Sequence, residues 1–371
     1  MTSHRVSRDR SSVPSFPTGE ATLNRRAFTG ATAVAAAGLL LGGRFGQPAD
    51  TRAAQAGTSV SLALDWYPTS QHAGIFVAQA KGYFTAAGLD VKVYTPADPT
   101  TVLQTVGAGR DTFGISYQTD LLFARGEQVP IVSVAALVQH PLNSLMFKES
   151  ANITRPADLK GKSVGIAGLP SDDAFLSTML KTDGLSLDDI SVVNVGYDLL
   201  PALLAGRVDA VMGAYWTHES IVAEQQGTPV GYLRVEQWGV PDYYELVVVT
   251  GEDYANQYPE TVSALLGAIQ HGYDDAMADP DGAIAILKAA SEDVDVAVER
   301  KGIDLLIPLW TDNGAVPFGT QTSARWQAYG DWLKEQGLLK GDVDLAAALR
   351  SDLLPAGAAT PAASPQASPA S

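Results

Sequence analysis

The chain has 371 residues, 46% of them hydrophobic and 18% charged, a balance that excludes a disordered polymer and allows one or two domains with cores of their own. It contains no cysteine, which excludes disulfides, thiolate zinc sites, iron–sulfur clusters, thiol nucleophiles and anchoring through a lipidated N-terminal cysteine. The formal net charge is −16, and the first 56 residues hold seven Lys/Arg against three Asp/Glu, so the remainder is more acidic still and no nucleic-acid partner is expected.

Residues 1–56 read as a targeting segment. A basic stretch ends in Arg25-Arg26-Ala27-Phe28 and is followed by a small and apolar run from Thr29 to Gly43, too short to span a bilayer comfortably. Arg25-Arg26 resembles a twin-arginine export signal, and Ala54-Gln55-Ala56 has the small-x-small pattern of a signal-peptidase site. No later stretch is long and apolar enough to span a membrane, so an exported, periplasmic or otherwise extracytoplasmic domain is expected.

Beyond the signal, short β-branched or alternating runs give way repeatedly to helical patterns, the signature of an α/β fold. Strands are predicted at Val60–Leu64 and Leu89–Tyr94, after which Asp98-Pro99 supplies an N-cap and an N1 proline for a helix with Val102, Leu103 and Val106 on one face. Further strands fit Phe113–Ser116, Val129–Val138, Ser144–Phe147, Ser163–Ala167, Val192–Val195, Ala210–Gly213 and Glu245–Thr250. Two segments, Gly107 to Ile115 and Ala205 to Gly213, resemble each other: each ends a helix with Gly-Arg and enters a buried strand that carries a glycine. From Asp253 the pattern is predominantly helical, and from about Pro355 to Ser371 an Ala/Pro/Ser-rich tail has too little apolar surface to order itself.

Ligands of open α/β sheets sit at the carboxyl ends of strands, near helix N-termini. The stretch Leu64 to Gly74 lies at such a place and puts Trp66, Gln71 and His72 where they can line a cleft, although Trp66 could equally be a core aromatic and His72 a helix-capping group. Ser171 is placed to cap the helix predicted from Ala174, and Asp172 either favours that helix end or accepts hydrogen bonds from a ligand, as does Glu245. Tyr215, Trp216 and His218 follow one buried strand, and Trp238, Tyr243 and Tyr244 precede the strand predicted from Glu245, aromatics suited to hold a flat ring. His72, His140, His218 and His271 lack i, i+4 pairing, and neither a Gly-x-Ser-x-Gly elbow nor a phosphate loop occurs, so no metal, cofactor or catalytic residue is expected.

The run from Leu64 to Val91 (Leu-Asp-Trp, His72, Phe-Val-Ala-Gln, Gly-Tyr-Phe, Gly-Leu-Asp-Val) resembles the ThiY-type family of receptors, which bind thiamine pyrimidine precursors for an ABC importer. The resemblance extends from about residue 60 to about 340 and includes Val195 to Leu204, Gly213 to Glu219 and Trp326 to Gly337. It implies a type II periplasmic binding protein: residues 57–143 and 248–354 in one α/β lobe, 144–247 in the other, two crossover strands, and a cleft that closes on a small heteroaromatic ligand. It also implies a permease and ATPase as partners and a monomer. Trp66 and Tyr244 would stack on the ring, Asp172, Glu245 and Ser116 would hydrogen-bond its edge, and Tyr117 would lie beside them. Thr69-Ser70-Gln71 stands where many pyrimidine binders have an Asn-rich loop, which leaves riboflavin open as a ligand. A sulfonate would need a cleft arginine, and none of Arg110, Arg125, Arg207 or Arg234 sits at an obvious strand end. The related eukaryotic pyrimidine synthases use a lysine and a histidine of their own chain and a cysteine-rich motif. Laid against theirs, the lysine falls on Ser116, the histidine on Asp120 and the cysteines near Pro241 to Glu245, which leaves that chemistry without carriers.

Overall fold

A computed structural model describes residues 57–341 and 343–355; the expected export segment and the tail beyond 355 lie outside the described residues. The strands are β1 (Thr58–Ala63), β2 (Leu89–Tyr94), β3 (Phe113–Ser116), β4 (Ile131–Val138), β5 (Asn143–Lys148), β6 (Ser163–Ile166), β7 (Ser191–Asn194), β8 (Ala210–Tyr215), β9 (Val230–Arg234) and β10 (Leu246–Gly251). They form two five-stranded sheets, ordered β2-β1-β3-β10-β4 and β7-β6-β8-β5-β9. In the first sheet β1 runs parallel to β2 and β3, while β10 is antiparallel to β3 and β4. The second repeats the arrangement, with β6 parallel to β7 and β8 and β5 antiparallel to β8 and β9. The two look-alike segments of the sequence enter β3 and β8, the central strand of each sheet, and the helix-ending glycines Gly109 and Gly206 both adopt positive φ, 67° and 68°.

The sequence pattern explains most of these strands. β4 and β10 are nearly continuous apolar runs because helices cover both faces of the first sheet, and every residue of β4 is buried. β9 is the strand the sequence does not announce. It is an edge strand with Tyr232 exposed, and its Gly231 breaks the alternation because the Phe147 ring lies where a Cβ would be, 2.5 Å away. Asp98 caps as expected, accepting the Thr100 N–H at 3.1 Å.

The chain leaves the first sheet after Val138, enters the second at Asn143, and returns between Arg234 and Leu246. Five helices follow, Glu252–Gln257, Pro259–Ala278, Pro280–Ala290, Val296–Trp310 and Ser323–Glu335, and they pack back onto the first lobe. Helix Ala73–Ala80 lies unusually close to Pro259–Ala278, since a Cβ on Gly272 would stand 2.0 Å from the Gly74 carbonyl oxygen. One apolar cluster runs from the first sheet through Trp326, Tyr329 and Trp332 to Phe175 of the second lobe, where Phe175 stacks on Trp332 at 5.7 Å. Among the described residues no helix is long and apolar enough to cross a membrane.

Candidate functional site

The loops that leave the carboxyl ends of β1 and β3 meet loops of the second lobe, the position at which open α/β sheets bind ligands. Asp65 follows β1 and is buried. His72 Nδ1 accepts the Thr69 backbone N–H at 3.2 Å, which leaves Nε2 to donate to Asp65 Oδ1 at 2.8 Å. The other oxygen, Oδ2, accepts the Tyr117 hydroxyl at 2.7 Å from the end of β3. Next to Asp65, Trp66 is 41% exposed and lies against Tyr197 of the turn after β7, with ring centroids 5.9 Å apart. An aromatic from each lobe thus forms the rim.

Asp120 stands in the first turn of the helix Gln118–Gly126 that follows β3. Its side chain is exposed, and nothing hydrogen-bonds its carboxyl among the described residues. Burial, with the Asp65 charge second, nevertheless pushes that carboxyl up to about 6. Its place in the first helical turn after β3, within reach of the Asp65 and Tyr197 charges, sets it in the recess where these loops meet. Tyr117 and Tyr197 near it, and Tyr215 beside Glu245, are all raised, by burial first and then by Asp65, Asp98, Asp120, Asp172 and Glu245. The recess is therefore negative as well as aromatic.

Glu245, on the returning connection, is a second centre. It accepts the Leu142 N–H at 2.8 Å and the Asn143 amide at 3.1 Å from the outgoing connection, and the Tyr215 hydroxyl at 2.8 Å from the end of β8. Burial raises its carboxyl, although these donors oppose the shift. The lobes also meet at His218, whose Nε2 lies 3.2 Å from Glu299 and whose Nδ1 lies 3.5 Å from Glu219. Burial lowers this imidazole, but the two carboxylates outweigh it and bring it to about 10. Glu299 in turn accepts the Ser70 N–H at 2.6 Å, which ties the loop after β1 to the same contact.

The structure places Trp66 at the rim and Tyr117 and Tyr215 on Asp65 and Glu245; Glu245 itself is buried with its oxygens taken by Leu142, Asn143 and Tyr215, so it ties the connections together and does not face a ligand. His72 has no exposed surface; it orients Asp65 and does not line the cleft. Gln71 is buried and holds its place through its carbonyl, which accepts the Tyr273 hydroxyl at 2.6 Å. Ser116 is buried at the end of β3, beside β10. Ser171 sits at the N-cap without a side-chain cap bond. Asp172 spends Oδ2 on the N–H groups of Gly168 and Leu169, both at 2.8 Å, and is 2% exposed, so it builds its own loop.

Trp216 and Tyr244 are corrections. Trp216 is buried, donating Nε1–H to the Pro141 carbonyl at 3.2 Å, with Arg234 over its ring at 4.6 Å. Tyr244 is 1% exposed between Trp326 and Arg325, and its hydroxyl accepts the Thr322 N–H at 2.9 Å, so it cannot stack on a ligand. Tyr243 is likewise enclosed, stacked on Tyr329 at 4.6 Å. Asp120 and Tyr197 are the cleft residues that the sequence does not single out for a ligand. The rule that selects the loop after β1 also selects the first helical turn after β3, and Tyr197 lies in the family-like Val195 to Leu204 run, next to the positive-φ Gly196. Among the described residues no group of three or more His, Asp or Glu is placed to hold a metal ion.

Residues 69–283 match the family described as NMT1/THI5 like. The chain belongs to the NMT1/THI5-like family. It is 34% identical over 289 residues to the formylaminopyrimidine-binding protein of Halalkalibacterium halodurans, spanning 77% of this chain and 87% of that one. A second NMT1/THI5-like relative is the 4-amino-5-hydroxymethyl-2-methylpyrimidine phosphate synthase THI13 of Saccharomyces cerevisiae, 28% identical over 231 residues, 60% of this chain and 68% of the yeast protein. In three dimensions the chain resembles the periplasmic aliphatic sulphonate binding protein SsuA of Escherichia coli, with a TM-score of 0.63 at 17% identity over 80% of this chain and 98% of SsuA. The NMT1/THI5-like chain thus has the two-lobed α/β fold of type II periplasmic binding proteins.

Proposed function

We propose that this chain is the extracytoplasmic receptor of an ABC importer and that it binds a thiamine pyrimidine precursor, an aminopyrimidine, between its lobes. The observation that carries the proposal is the recess at the ends of β1 and β3, which is rimmed by Trp66 and Tyr197 and holds Asp120 open among other acids. Such a site suits a flat ring bearing N–H donors and repels an anion, which sets it apart from the sulphonate receptor whose fold it shares. The relative from Halalkalibacterium halodurans, a formylaminopyrimidine-binding protein, supports the same ligand class. A receptor is favoured over a synthase because the chain lacks cysteine and carries Ser116 and Asp120 where the resemblance sets the synthase lysine and histidine. Export through the Arg25-Arg26 segment, delivery to a permease and a monomeric state belong to the same proposal.

The test is isothermal calorimetry with formylaminopyrimidine, hydroxymethyl-aminopyrimidine, riboflavin and an alkanesulfonate, backed by thermal shifts that rise with ligand concentration. Binding of an aminopyrimidine in preference to the others is expected. Preference for riboflavin or the sulfonate, or no binding of any aminopyrimidine, refutes the ligand assignment. Turnover of an aminopyrimidine precursor by the purified protein refutes the receptor role.

A further inference from the structure

Four carboxyls surround the recess, and they are not equivalent. Asp65 has both oxygens occupied, by His72 and Tyr117. Glu245 is filled by Leu142, Asn143 and Tyr215, and Asp172 has Oδ2 committed to its own loop. All three are at most 4% exposed. Asp120 alone among them combines open surface with a carboxyl that no hydrogen bond occupies among the described residues. Of the four, it is the carboxyl that a ligand lying between Trp66 and the loop after β3 can reach with both oxygens uncommitted.

Resting on the receptor reading above, we propose that Asp120 is the specificity-determining residue that reads the amino-and-ring-nitrogen edge of the ligand, and that the complex holds one proton between carboxyl and ring. The edge of a 4-aminopyrimidine offers one donor, the exocyclic N–H, beside one acceptor, the ring nitrogen. A carboxylic acid offers the matching acceptor and donor. Moving the proton onto the ring leaves two donors facing a carboxylate, a charge-assisted bidentate pair. Either way the two hydrogen bonds require one proton that a free carboxylate and a neutral ring do not possess together. The groups facing Asp120 favour taking that proton up. Asp65 lies close enough to raise it, Tyr117, Tyr197 and Tyr329 register its charge, and none of these supplies a positive charge. Its raised value, about 6, means that the carboxyl is mostly ionised above neutrality and must gain the proton on binding.

Calorimetry of hydroxymethyl-aminopyrimidine in two buffers of different ionisation enthalpy, at pH 6 and pH 8.5, tests this. In the wild type, uptake of about one proton per ligand at pH 8.5 and an affinity that falls about tenfold per pH unit above pH 7 are expected, from the linkage between bound protons and binding free energy. Asp120→Asn carries a donor and an acceptor permanently; it should still bind, with no proton uptake and a flat pH profile. Asp120→Ala should lose affinity at every pH. A wild type that binds without proton uptake, or an Asn variant that retains the wild-type slope, overturns the role given to Asp120 and leaves the receptor standing. A wild type that binds no aminopyrimidine at any pH overturns both.

Discussion

His218→Gln removes the cation that spans the lobes while keeping side-chain volume. Its imidazole rises from 6.5 to about 10 in the folded chain, against burial, because Glu219 and Glu299 flank it. At about 1.4 kcal/mol per pKa unit that rise sets an upper bound near 5 kcal/mol. The His218 side chain is 34% exposed, and solvent screening reduces the figure to about 2 kcal/mol. The sign follows from a folded value above the unfolded one: the contribution is complete below about pH 6.5 and is lost as the pH rises through 10. Urea and thermal melts of wild type and variant at pH 6, 8 and 10.5 measure it, a gap of about 2 kcal/mol corresponding to roughly 3 °C for a domain of this size. The gap should be largest at pH 6 and close by pH 10.5. A gap that persists undiminished at pH 10.5, or no gap at pH 6, refutes the ion-pair account.

Trp66→Ala removes a ring that is 41% exposed, so the melting temperature of the ligand-free protein should barely move, while aminopyrimidine affinity drops about tenfold or more; unchanged affinity in calorimetry means that the ring does not touch the ligand. Gly272→Ala puts a methyl 2.0 Å from the Gly74 carbonyl and should cost about 3 kcal/mol in thermal melts. Gly267→Ala in the same helix meets only Pro355 at 3.5 Å and should be neutral or slightly stabilising, a contrast that fails if helix propensity decides both.

Sheet composition was largely legible because buried strands announce themselves: the unbroken apolar run of β4 can hardly be anything else, and turn residues bracket it. β9 was not, since an edge strand with a glycine against Phe147 lacks both periodicity and apolar content. The placing of aromatics was the weaker part. Tyr243 and Tyr244 lie at a strand end, as a ligand-stacking pair would, but adjacent residues point to opposite sides and here both sides are roofed, one by Phe175 and Tyr329 and the other by Trp326 and Arg325. Among the acids, Asp172 and Glu245 attract notice by position, yet what separates them from Asp120 is whether their oxygens are already taken. That is fixed by backbone N–H groups of Leu142, Gly168 and Leu169 arriving from neighbouring turns, and no residue pattern in the sequence encodes it.

Glu245 has a mechanical consequence. Its bonds to Leu142 and Asn143 strap the outgoing connection to the returning one, and its own N–H reaches back to the Val138 carbonyl at 3.2 Å. His140 adds a second strap, with Nδ1 3.0 Å from Asp242. Two connections lashed at Glu245 and again at Asp242 behave as one leaf spring: neither can twist without carrying the other. A twist of one lobe against the other therefore loads both connections together.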